Sequence, residues 1–115
     1  MTQPQSVAVS DALRACAMFD QLNVPVLGVV ENMAGEFFGE GGGEQLAKER
    51  NVPFLGRVPM AASVREGGDY GRPVVTFEPD SAAGRAFYEL ARNVAARISV
   101  VMMQNADLIP INVIG

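Results

Sequence analysis

Val26-Leu27-Gly28-Val29-Val30 is an unbroken apolar run of five residues, bounded by Pro25 and Glu31. A run so short and so apolar marks a strand buried on both faces of a parallel sheet. Upstream, a helix is predicted over residues 4–22, where Val9, Leu13, Cys16 and Phe19 fall on one side and Pro4 suits the first turn. Asn23-Val24-Pro25 breaks that helix before the strand. Downstream, a loop over residues 33–43 leads into a short helix over 43–50. Val52-Pro53 then opens a second strand over 54–58, which Pro59 ends. Residues 61–66 form one or two helical turns, and Gly67-Gly68 with Gly71 marks a turn. Val74-Val75-Thr76-Phe77 reads as a short edge strand. Pro79-Asp80-Ser81 caps a last, long helix, in which Ala83, Phe87, Leu90, Val94, Ile98 and Val101 keep helical spacing. Residues 105–115 form an extended tail, apolar and proline-broken from Leu108 to Ile114.

This alternation of helices and strands predicts an α/β fold with a mostly parallel sheet. At 115 residues the chain is one domain at most, small for a doubly wound fold, with no internal repeat and no linker. Composition agrees with a packed domain, since 49% of residues are hydrophobic and 19% charged. The net charge is −4, Lys48 is the only lysine, and the arginines are scattered. Nucleic-acid binding through phosphate contacts is therefore not expected. Cys16 is the only cysteine and there is no histidine, which excludes an intramolecular disulfide, a zinc site and a histidine relay within one chain. No apolar run approaches the roughly 18 residues of a membrane span, and the N-terminus lacks the pattern of a signal peptide. A cytoplasmic protein with no membrane partner is the expectation.

Ligands of open α/β sheets bind just past the carboxyl ends of the strands. Asn32 stands there, at the end of the first apolar run, and a carboxamide offers donors and an acceptor together. It suits the edge of a base, and it equally suits the cap of a turn. The Gly41-Gly42-Gly43 run precedes a helix, where phosphate can bind, but Glu40 and Glu44 would repel an anion. A flexible loop or a partner contact is the alternative for that run. Cys16, on the apolar side of its helix, reads as a buried, inert thiol. Arg65, Glu66 and Asp69 read as surface residues.

Taken in order, several segments carry a resemblance. They are Pro4-Gln5-Ser6-Val7-Ala8 with Asp11, Asn23 through Met33, and Phe38-Gly39-Glu40-Gly41-Gly42-Gly43-Glu44. Val52 through Pro59, Val64-Arg65-Glu66-Gly67-Gly68-Asp69 and Gly71-Arg72-Pro73-Val74-Val75 follow. The chain resembles the C-terminal part of the Mrp/ApbC-type iron–sulfur cluster carrier ATPases, of the MinD-like P-loop group. The resemblance implies a doubly wound P-loop NTPase-type sheet, ATP with Mg²⁺, a carried iron–sulfur cluster, client or scaffold partners and a homodimer. It implies that Asn32 bonds the adenine edge, while Val58, Pro59 and Met60 supply backbone and apolar contacts on the other side.

The chain departs from the family at two points. Nothing in it matches the glycine-rich loop with a lysine that cradles phosphate, because Lys48 sits within a predicted helix without the needed glycines. The stretch Ala34-Gly35-Glu36-Phe37 also lacks the Cys-x-x-Cys pair with which many members hold a cluster between subunits. The expectation is a single partial domain over residues 1–115. It would carry the adenine-recognition edge of an ATPase, without catalytic or metal-binding residues. The alternative is a truncated, non-catalytic module that acts through protein contacts.

Overall fold

The computed structural model describes residues 1–105, so the arm expected over 108–114 lies outside the described residues. The element order is α1 (Ser6–Gln21), β1 (Val29–Ala34), α2 (Gly42–Glu49), β2 (Phe54–Pro59), α3 (Ala62–Tyr70), α4 (Val74–Phe77) and α5 (Ala82–Gln104). β1 and β2 pair in parallel. Thr2 adds a further parallel bridge on β1, its N–H donating to Val30 O (2.8 Å) and its carbonyl accepting from Asn32 N (2.7 Å). The parallel α/β arrangement is therefore the one the apolar runs predict.

Both helices that precede a strand end in the same way. Asn23 and Asn51 adopt left-handed backbones, with φ of 56° and 53°. After each asparagine a valine N–H reaches back along the helix, Val24 to Phe19 O (2.9 Å) and Val52 to Ala47 O (3.0 Å). These paired bonds are the Schellman arrangement, which satisfies carbonyls that a helix end leaves open. The following proline prevents the helix from resuming. Two copies of Asn-Val-Pro, at 23–25 and 51–53, thus turn α1 and α2 toward the sheet.

Val29, Leu46 and Ala47 form the buried core, with Val9, Ala12, Leu13, Val52 and Phe54 packed against it. Of the apolar side of α1 predicted from spacing, Val9 and Leu13 pack on the core and Cys16 is buried, while Phe19, at the end of the helix, is exposed. α5 forms a separate layer, packing on β2 and α4. Leu90 sits against Gly56, Asn93 Nδ2 donates to Leu55 O (2.8 Å) and Arg97 Nε donates to Leu27 O (3.0 Å). Ser81 caps α5 as predicted, its hydroxyl accepting from Gly84 N at 3.0 Å.

Three local expectations are corrected. The first strand was expected over 26–30, yet pairing begins only at Val29, whose N–H donates to Pro53 O (2.9 Å), and continues to Ala34. Residues 74–77 were expected as an edge strand and instead form α4. Pro73 supplies the carbonyl that Thr76 and Phe77 N–H groups donate to, and Val74 is buried. Valine-rich composition favours a strand only where a strand partner is available. Finally, Gly67-Gly68 lies inside α3, and the turn falls at Gly71, which is left-handed with φ 67°. Gly67 is needed because the chain doubles back so tightly that a Cβ there would stand 2.3 Å from Arg72 O.

Candidate functional site

A cleft of about 670 Å³ opens where β1 and β2 run out into their connections. One wall is the β1–α2 loop, through Gly35, Glu36 and Phe37, and the other is the β2–α3 connection, Pro59 to Ala62. Asn32 and Met33 lie between the walls, and Val64 and Arg65 of α3 complete the lining. The carboxyl ends of neighbouring parallel strands are where open α/β sheets bind ligands, and the volume lies in the range of ligand pockets.

The backbone of β1 places Asn32 in this cleft by a local irregularity. Met33 has a left-handed φ of 58°, and the β1–β2 register shifts between Glu31 and Ala34. Such a bulge re-aims the side chains around it. Thr2 O holds the Asn32 N–H on one side of the bulge, and Met60 N donates to Ala34 O (2.8 Å) on the other. Asn32 is thus not the last strand residue, as its position after the apolar run implied. It is the fourth of six, with pairing resumed beyond it.

Of the four residues expected at the base, Asn32, Pro59 and Met60 line one cleft. Val58 does not line it. It is 1% exposed and belongs to the core. Met60 is exposed at the rim.

No local pattern marks Glu31 in the sequence, although a carboxylate ending an apolar strand is the kind of buried polar group that carries information. Its side chain is wholly buried and accepts from Gly41 N (3.0 Å), Gly43 N (2.8 Å) and Arg57 Nε. Arg57 also donates to Glu44 Oε1 (2.7 Å) and lies over the Phe54 ring. Burial pushes the Glu31 carboxyl up, but the Arg57 hydrogen bond and the Gly43 and Gly41 amides outweigh it and hold the pKa below the ordinary value. The Arg57 guanidinium is in turn pushed up by its bond to Glu31.

The glycine run is therefore neither a free phosphate cradle nor a loose loop. Its amides at the start of α2 already bind an anion, the Glu31 carboxylate. Gly43 has to be glycine for this, since a Cβ there would lie 2.9 Å from Glu31 Cβ. Glu31 ties the loop that forms one wall of the cleft to the strand that carries Asn32. Through Arg57 it also ties both to β2, which ends in the other wall. Among the described residues no group of three or more acidic, cysteine or histidine side chains could hold a metal ion.

Comparison with known proteins agrees with this architecture. The profile of the ParA family, described as NUBPL iron-transfer P-loop NTPase, matches residues 1–95. An iron-sulfur cluster carrier protein of Synechocystis is 42% identical, the match covering 90% of this chain and 32% of that protein. One from Pyrococcus horikoshii is 39% identical over 88% of this chain and 37% of that protein. The chain thus spans about a third of the length of these curated relatives. Among solved structures, the cell division ATPase MinD of Pyrococcus furiosus superposes with a TM-score of 0.74 at 26% identity, over 84% of this chain and 40% of that one. The septum site-determining protein MinD of Pyrococcus horikoshii, solved in complex with Mg-ADP, gives a TM-score of 0.72 at 26% identity, over 82% and 39%. With the match running from Met1 through most of α5, this chain belongs to the ParA family of NUBPL-type iron-transfer P-loop NTPases.

Proposed function

We propose that this chain is the C-terminal part of an ATP-binding iron–sulfur cluster carrier and contributes the edge of the nucleotide site that recognises adenine. In this reading the Asn32 carboxamide bonds the base edge, Pro59 and Met60 line the opposite wall, and Val58 belongs to the core. One observation carries it. The bulge at Met33 and the β1–β2 pairing bring Asn32 and Pro59-Met60, far apart in sequence, into a single cleft at the strand ends. The names of the relatives support the carrier role, and the Mg-ADP in the MinD relative supports a nucleotide.

No glycine-rich lysine loop occurs in the 115 residues, so the phosphates and Mg²⁺ would be held by residues outside this sequence. A cluster, as cargo, would need thiolates other than Cys16, which is buried on α1. Iron–sulfur client or scaffold proteins, a homodimer of the whole protein and a cytoplasmic setting complete the reading.

The test is a titration of the ¹⁵N-labelled chain with AMP and with GMP. AMP should shift the Asn32 backbone and carboxamide signals, because the exocyclic amine of adenine donates where guanine has an accepting oxygen. Removing a buried amide contact costs on the order of 1–3 kcal/mol, roughly ten- to a hundred-fold in affinity. Asn32→Ala should weaken AMP binding by that much and blur the preference over GMP, with the melting temperature little changed. Unaltered discrimination would leave Asn32 a turn residue only.

A further inference from the structure

Gly35 and Gly39 exchange both backbone hydrogen bonds, at 3.0 and 2.7 Å, and so close a tight knuckle of Glu36, Phe37 and Phe38 just past β1. Phe38 is half-buried, whereas Phe37 is 84% exposed and yet lines the Asn32 cleft. A single exposed apolar side chain is ordinary on a protein surface. This one differs in two respects: a hydrogen-bonded loop fixes the backbone that carries it, and it lines a cleft that Pro59 and Met60 also line. The knuckle is itself anchored, because the Glu31 carboxylate grips the loop at Gly41 two residues beyond Gly39.

We propose that Phe37 is a binding residue, stacking its ring on the face of the purine whose edge Asn32 reads. The inference rests on the adenine reading of the cleft and adds the contact that would close it from the loop side. The charges in the cleft point to the base end of a nucleotide rather than its phosphates. Glu36 beside Phe37 repels an anion, and Arg65 is already paired with Glu66 (3.3 Å) and Asp69 (3.4 Å). What remains is a cleft lined by an aromatic ring, apolar side chains and a carboxamide. Aromatic stacking suits any flat base, so Phe37 supplies affinity and Asn32 supplies the choice of base.

The chain has no tryptophan, so Phe37→Trp places its one tryptophan at the knuckle, where it can be excited apart from Tyr70 and Tyr88. AMP should quench it saturably, and ribose 5-phosphate, which lacks a base, should not. In the labelled chain Phe37→Ala should weaken AMP by at least about five-fold, the lower end for a lost stack, while Phe37→Tyr keeps the wild-type affinity. Because the ring is exposed, neither variant should shift the melting temperature. Wild-type AMP affinity in Phe37→Ala, with Asn32 signals still moving, would overturn the stacking role and leave the adenine reading standing. The ring would then be a protein-contact residue. Absence of any AMP response at Asn32 in the wild-type chain would overturn both.

Discussion

A buried carboxylate is stable only if its oxygens are fully used, and Glu31 meets that condition with two loop amides and a guanidinium. Gly43 and Arg57 are the positions that make it possible. Because Glu31 titrates lower in the folded chain than unfolded, it stabilises the fold fully above the ordinary carboxylate value of 4.5. That contribution is lost as the pH falls through the lower folded-state value. Melting curves across the acid range should therefore show wild type losing stability below about pH 4.5. Glu31→Gln should be less stable at neutral pH by about 3 kcal/mol and decline more gently in acid. An acid slope identical in the two proteins would show that other carboxylates dominate. Asn32, its neighbour, was legible in the sequence because a carboxamide after an apolar strand is a local signal. Glu31 was not, because its partners lie up to 26 residues away.

At the scale of elements, the strongest local instruction is the repeated Asn-Val-Pro. Asparagine tolerates the left-handed backbone better than branched residues do, and proline enforces the exit from the helix. Asn51→Val should destabilise the chain by about 1–2 kcal/mol, while Asn51→Gly should be neutral or slightly stabilising, as read by chemical denaturation. Equal stability of the two variants would mean the helix end does not depend on this conformation. The predicted bounds of α1, α2 and β2 came within about two residues because capping and proline signals act over one turn. The prediction for residues 74–77 had no such signal. Val-Val-Thr-Phe has strand propensity, but Pro73 offers a carbonyl for a helical turn and α5 offers Val74 a place to be buried.

For the molecule as a whole, the described residues form a two-stranded parallel sheet with Thr2 bridged to it, and β2 has no strand partner on its other side among them. Val7, Leu22, Phe77, Met102 and Met103 are exposed on the helices and their connections. Open strand edges and uncovered apolar surface favour association. The 115-residue chain in isolation should therefore self-associate, with a weight-average mass that rises with concentration in sedimentation equilibrium. A constant monomer mass together with a sharp, cooperative unfolding transition would refute this.

The sequence by itself determined the helices and strands other than α4, the parallel α/β class, most of the apolar sides of α1 and α5, and the placing of Asn32, Pro59 and Met60 near strand ends. Each depends on periodicity, caps or prolines, which act between near neighbours along the chain. Only the tertiary structure decided that Asn32 sits inside a bulged strand, that Val58 belongs to the core, and that the glycine run binds the Glu31 carboxylate. It also decided that Phe37 lines the same cleft as Pro59 and Met60. Those outcomes depend on strand register and on partners many residues apart. Sequence spacing does not encode them, because register is set by packing the whole sheet against its helices at once.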